Sequence, residues 1–137
     1  MNIEELSDRL QIDDLMIRYA TGIDTKDWDL FRSCFTADVD ADYGPIGHWH
    51  GVEEITAFMV DAHRTMPRTN HMMSNIMVRL DGDTATARTY VHVVLIANAE
   101  PRTVIDSVGS YDDDLVRTAD GWRIARRRFT ETRTDFH

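Results

Sequence analysis

Apolar and polar positions alternate with two different periods along this chain, and the change of period divides it. Over residues 3–22, Leu6, Leu10, Ile17 and Ala20 recur along one stripe, and Ile12, Met16, Tyr19 and Ile23 along an adjacent one. This spacing predicts an amphipathic helix with a wide apolar face. Gly22 weakens the helix near its end. Asp27 is placed to N-cap a short second helix in "WDLFRSCF". "ADVDADYG" alternates and predicts a short strand. "GVEEITAFMVDAH" predicts a third helix with Ile55, Phe58, Met59 and Ala62 on one side, and Pro67 stops it. From there the period is two. Long runs near 69–80, 83–98, 103–117 and 121–133 read as strands, with tight turns at "DGD" (81–83) and "ADG" (119–121) and a looser one at "NAEPR". Helices first and an antiparallel meander after them make the class α+β. Three N-terminal helices against a strongly curved sheet enclose a cone, and a cone suits a small-molecule pocket.

Composition narrows the function. The 137 residues contain no repeat or linker, so one domain over 1–137 is expected, large enough to bury a core without staples. The one cysteine, Cys34, excludes an intrachain disulfide and any Cys-x-x-Cys centre. Fifteen basic against 24 acidic residues give a net charge of −9. That balance argues against nucleic acid and against an anionic membrane surface as partners. No apolar run reaches transmembrane length and the start has no signal-segment pattern, so a cytoplasmic location is expected. The late basic cluster "RIARRRF" is expected to face the acidic "YDDDL" across a strand pair.

The order of segments "IDDLMIRYATGIDTKDWDLFRSCFTADV", "GVEEITAF", "NHMMSNIMVRLDGDTATARTYV" and "GSYDDDLVRTADGWRIARR" covers nearly the whole chain. In that order and spacing it resembles the SnoaL-like branch of the nuclear transport factor 2-like superfamily. The resemblance implies a cystatin-like α+β barrel, a cone-shaped curved antiparallel or mixed sheet. The superfamily includes scytalone dehydratase, bile acid dehydratase, a dehydrochlorinase, ketosteroid isomerase and polyketide cyclases, and also non-catalytic members, so fold does not settle function.

Candidate chemistry centres on Asp24 and His71. If the first helix runs past Gly22, a 100° step places Asp24 inside the apolar arc, where a carboxylate needs a partner; the other reading is a turn residue bonding backbone. His71 opens a long apolar run, either as a general base or as a histidine bonding backbone or Asn75. The resemblance implies the first reading for both: an aspartate ending the first helix holds a histidine at the start of the first long strand. The aspartate would fix the tautomer and the imidazole would take a proton. A tyrosine in the first helix, matched by Tyr19, would polarise a substrate carbonyl, or else sit in the core. Asn75, four residues past His71, shares its face if the strand is regular. Tyr43, Trp49, Phe58, Met59, Met73, Val91, Val93 and Leu95 are candidate pocket lining, and Asp106 a candidate proton donor. The second active-site histidine of scytalone dehydratase would fall near Leu95, and His92 would lie on the opposite face.

The expected activity is therefore a cofactor-independent, dehydratase-type lyase on a small lipophilic carbonyl compound such as a steroid, polyketide or aromatic-pathway intermediate. The alternatives are a ketosteroid-type isomerase using Asp40 or Asp42, a polyketide cyclase, or a non-catalytic ligand-binding or oligomerisation domain. "HWH" puts His48 and His50 on one face, but no carboxylate or cysteine is spaced to complete a site with them or with His63, so no metal is expected. Tyr90 and His92 on the convex face suit an interface, and a homodimer or homotrimer is expected.

Overall fold

The computed structural model describes residues 1–98 and 101–137, so part of the expected "NAEPR" turn lies outside the described residues. Helix α1 spans Ile3–Asp24, α2 Trp28–Arg32 and α3 Val52–His63; strands are β1 Phe35–Asp42, β2 His48–His50, β3 Arg68–Asp81, β4 Thr84–Ala97, β5 Thr103–Thr118 and β6 Gly121–Phe136. The four long strands fall where the period-two pattern puts them, within a few residues. The sheet order is β2-β1-β6-β5-β4-β3. Among the described residues only β1 and β6 run parallel, which makes the sheet mixed. Gly82 and Gly121, in the two expected tight turns, adopt φ of 63° and 103°, a region that glycine enters without steric cost.

Helix α1 begins at an Asn2 cap whose side chain accepts from the Glu5 N–H at 2.8 Å. It does not weaken at Gly22. A Cβ there would meet the Phe31 backbone nitrogen at 2.8 Å. Glycine therefore lets α2 cross close to α1 and lets α1 run on to Asp24. Asp27 caps α2 as expected, accepting from the Leu30 N–H at 3.1 Å, but α2 stops at Arg32 and Phe35 already belongs to β1.

Of the two apolar stripes on α1, one is buried and the other is buried only at Ala20. Ile12, Leu15, Met16, Tyr19 and Ile23 enter the core, whereas Leu6, Leu10 and Ile17 remain about half exposed. The sheet curves over one side of the helix, and a stripe a quarter-turn away finds nothing to pack against. The core also takes Phe31, Phe35, Val39, Ala41 and Ile55 from the elements flanking α1, and Ala85, Val91, Leu115, Trp122 and Ile124 from the long strands.

The acidic and basic clusters meet in register as expected: Asp112, Asp113 and Asp114 stand opposite Arg128, Arg127 and Arg126. The central pair turns inward. Arg127 grips Asp113 with two bonds of 2.8 and 2.9 Å, and both side chains are fully buried. A bidentate, charge-assisted contact is what lets two opposite charges sit in the core.

Candidate functional site

Helix α1 delivers Asp24 at its last turn, directly against the start of β3. The carboxylate accepts three hydrogen bonds. His71 donates its Nδ1–H to Oδ1 at 2.7 Å and its backbone N–H to Oδ2 at 2.8 Å; the Thr69 hydroxyl donates to Oδ1 at 2.9 Å. The side chains of His71 and Asp24 keep 6% and 17% of their exposure. An ionised carboxylate has no proton to give, so the bond at Nδ1 places the neutral ring's hydrogen there and leaves a lone pair on Nε2. This is the tautomer a general base needs. Thr69 and His71 alternate along one strand face, so a single helix-borne acid reaches both.

The aromatic surroundings are dense. Tyr19 stands edge-on to His71 with ring centroids 6.2 Å apart, and His63 lies at 6.3 Å with its ring tilted by 31°. His63 donates Nδ1–H to the Met59 carbonyl at 2.9 Å. Its Nε2 is buried and has no hydrogen-bond partner among the described residues. Burial is the largest cause holding this imidazole below its usual pKa. The ring beside the dyad is therefore neutral near pH 7.

Tyr19, expected either to polarise a substrate carbonyl or to sit in the core, lies in a buried cluster of hydroxyls. It is 1% exposed, and its oxygen bonds the hydroxyls of Tyr43 at 2.9 Å and Tyr111 at 3.1 Å. Burial pushes the pKa of Tyr19 far up, so it stays protonated. The Arg127 guanidinium lies 3.8 Å from the Tyr111 ring centroid and 4.3 Å from that of Tyr19, and its Nη1 donates to Tyr43 at 3.5 Å. Three hydroxyls hold three protons but make only two bonds with one another. One O–H therefore remains to donate to a further oxygen.

Several candidates land elsewhere. Asn75 does not share the face of His71. It has a φ of 52° and sits in a bulge between Ser74 and Met77, where its side chain is exposed. Asp106 is not in the interior: it accepts from His92 Nε2 at 2.7 Å on the outer face. Met59 and Val91 are core residues, and Tyr43 is buried in the hydroxyl cluster. Trp49, Phe58, Met73 and Val93 are half-buried against the core, and Leu95 is half-buried. Val93 stands opposite His71 across the β3–β4 pair and Leu95 opposite Thr69. Asp40 also faces away from the core, between the inward Val39 and Ala41, which removes the carboxylate that the isomerase alternative needs inside. Asp42 accepts from the Gly44 N–H at 2.9 Å.

Among the described residues, two grooves lie away from the dyad rather than forming the expected chamber above it. One, of about 550 Å³, lies along the exposed stripe of α1 between Leu6, Leu10 and Trp122. The other, of about 510 Å³, involves Met77, Arg88 and Arg126. The dyad touches neither. Sequence reasoning missed Thr69, Tyr111, Asp113 and Arg127, and weighed His63 only as a metal ligand. Thr69 had a signal, its spacing of two from His71.

The chain belongs to the SnoaL-like domain family, which matches residues 4–128. The uncharacterized protein Rv2910c of Mycobacterium tuberculosis is 36% identical over 128 residues, 93% of this chain and 87% of its own. A solved structure from Novosphingobium aromaticivorans, provisionally described as a scytalone dehydratase, superposes with a TM-score of 0.88 at 22% identity, covering 98% of this chain and 91% of that one. A type 2 hexachlorocyclohexane dehydrochlorinase, LinA, superposes at 0.90 with 17% identity, covering 100% and 93%. These two likenesses establish the cone-shaped α+β fold.

Proposed function

We propose that the protein is a lyase of the dehydratase type, in which His71 Nε2 removes a proton from the carbon next to a carbonyl and Asp24 holds and stabilises the imidazolium. The observation that carries this reading is the 2.7 Å bond from His71 Nδ1–H to Asp24. It fixes the one tautomer that leaves Nε2 a base, in a setting that keeps only 6% exposure, where solvent competes weakly. The similarity of the fold to a dehydrochlorinase and to a provisionally described dehydratase agrees with it.

The electron pair released from the C–H bond moves into an enolate. The spare O–H of the tyrosine cluster, backed by the Arg127 charge, stabilises that oxyanion. Collapse of the enolate expels a β-substituent. If the substituent is hydroxyl, the proton on His71 leaves with it as water, so one histidine serves as base and then as acid. The chemistry asks for no group beyond the chain itself. Half-buried Met73, Val93 and Leu95 beside Thr69 and His71 suit a lipophilic substrate, such as a steroid, polyketide or aromatic-pathway intermediate, and its entry requires these side chains to move.

The test is solvent deuterium exchange. β-Hydroxy ketones of these classes are incubated with the protein in D2O and followed by NMR, which registers proton removal even where elimination is slow. Exchange or elimination by the native protein and its loss in His71→Ala is the expected result. Equal rates in both proteins sink the proposal. Binding with no exchange would instead indicate a ligand-binding role.

A further inference from the structure

The segment "HWH" forms the edge strand β2, and pairing does what spacing alone does not. His50 stands directly opposite Asp40 on β1, and His48 opposite Asp42. One oxygen, Asp40 Oδ1, receives both rings: His48 Nε2 at 2.6 Å and His50 Nδ1 at 3.2 Å. The two imidazoles lie with centroids 4.7 Å apart. The three ligand atoms fall within 4.8 Å of one another. Ligands of a tetrahedral zinc ion at its usual bond lengths are about 3.3 Å apart. The present spacing therefore becomes a coordination shell by small rotations of exposed side chains.

The surroundings favour a cation. Glu54 accepts from the His50 backbone N–H at 2.9 Å, which brings a second carboxylate near. Arg126 is the opposing charge, but it approaches the other oxygen, Asp40 Oδ2, and only to 3.9 Å. Two imidazoles with one carboxylate select borderline transition ions over calcium or magnesium, which want oxygen. We propose that Asp40, His48 and His50 form a binding site for a divalent transition ion such as Zn²⁺ or Ni²⁺, on the outer face of the sheet edge, with positions left open to solvent.

The site has a consequence inside the fold. Trp49, between the two histidines, points the other way, into the interior. Its ring packs on Phe58 at 4.6 Å and Tyr43 at 5.2 Å. β2 is only three residues long. An ion coordinated by both strands fastens the strand that carries Trp49, and so stiffens this wall of the cone. The inference stands apart from the proposed lyase activity.

The experiment is calorimetric titration of the whole protein with ZnCl2 and NiCl2, alongside MgCl2, and thermal unfolding with each. Saturable binding of one Zn²⁺ or Ni²⁺ and a raised unfolding midpoint are expected, with Mg²⁺ doing neither. His48→Ala and His50→Ala each weaken binding by at least about tenfold. His92→Ala, which removes the other exposed histidine–carboxylate pair, leaves it unchanged. No saturable transition-ion binding overturns the proposal, as does binding that survives His48→Ala with His50→Ala.

Discussion

Replacing Asp24 with Asn tests the dyad with the smallest change of shape. The carboxylate accepts from three donors: Thr69 Oγ1–H and His71 Nδ1–H at one oxygen, and the His71 N–H at the other. An amide has one acceptor oxygen, and its nitrogen only donates. If the amide oxygen takes the first place, its NH2 faces the His71 backbone N–H. If it takes the second, the NH2 faces Nδ1, and the ring must move its hydrogen to Nε2. Either arrangement leaves a partly buried donor unmatched or removes the base's lone pair. The unmatched donor costs about 1–3 kcal/mol of stability, and a chain of this size shifts its unfolding midpoint by roughly 4 °C per kcal/mol. Catalysis loses more. A carboxylate about 4 Å from the imidazolium charge centre contributes about 4 kcal/mol at an effective dielectric of 20, which is roughly a thousandfold in rate. Two assays separate these effects. Long-range ¹H–¹⁵N NMR of the His71 ring reads the tautomer, and solvent deuterium exchange reads proton abstraction. The variant is expected to stay folded, to lose the Nδ1–H form as the dominant species or to shift its ring nitrogens markedly, and to lose exchange about a thousandfold. A variant with unaltered ring nitrogens and unaltered exchange would refute the reasoning.

Arg127→Met strips the partner from a fully buried Asp113 and is expected to destabilise by about 3–5 kcal/mol. Pairing it with Asp113→Leu should restore much of this in urea unfolding, and simple additivity would contradict the buried-pair account. Asn75→Val forces a branched residue to φ of 52° and should cost about 1–2 kcal/mol, whereas Asn75→Gly should be nearly neutral. Both should leave deuterium exchange intact, and a loss of exchange in Asn75→Gly would return Asn75 to the site. His63 is held below its usual pKa by burial, so the folded chain refuses a proton that the unfolded chain takes up near pH 6.5. Stability should fall as pH drops from about 6.5 towards the folded value. His63→Gln should flatten that slope, and equal slopes in the two proteins from pH 7 to 5 would exclude this origin.

The pattern of apolar residues was enough to place the three helices and four long strands, because period is a property of neighbours and survives without knowledge of the fold. The Asp24–His71 contact was reachable only through the family resemblance, because α2, β1, β2 and α3 intervene between the end of α1 and the start of β3 and local pattern left both residues with an ordinary structural reading. The hydroxyl cluster was not. Tyr19, Tyr43 and Tyr111 lie on α1, after β1 and on β5, and only the curvature of the sheet brings the oxygens of Tyr43 and Tyr111 within 3.1 Å of that of Tyr19. Nor was the exposure of Leu6, Leu10 and Ile17, since a wide apolar arc does not say which part of it the sheet will cover.

The deepest reason lies in two single-residue irregularities. Along β3, Thr69, His71 and Met73 turn inward, and beyond the bulge Ile76, Val78 and Leu80 do so. A regular strand could not do both, because side chains alternate strictly. Odd residues inward throughout would turn Asn75, Met77 and Arg79 towards the core and expose Ile76, Val78 and Leu80; even residues inward throughout would turn His71 out of the cone. The extra residue at the bulge reconciles an interior base with a packed second half. β6 repeats the device. Asp114 pairs with Arg126 but Leu115 with Ile124, so Ala125 is the surplus residue. Trp122 and Ile124 face inward before it, and Arg127 and Phe129 after it. Without that step Arg127 would leave the core, and Asp113 and the tyrosines would lose the charge beside them. Asn75 carries a faint mark of its role, since asparagine tolerates positive φ; Ala125 carries none. The groups proposed to act here, a base on β3 and a guanidinium on β6, thus owe their direction to insertions of one residue. Such insertions shift register while leaving composition and period on either side untouched.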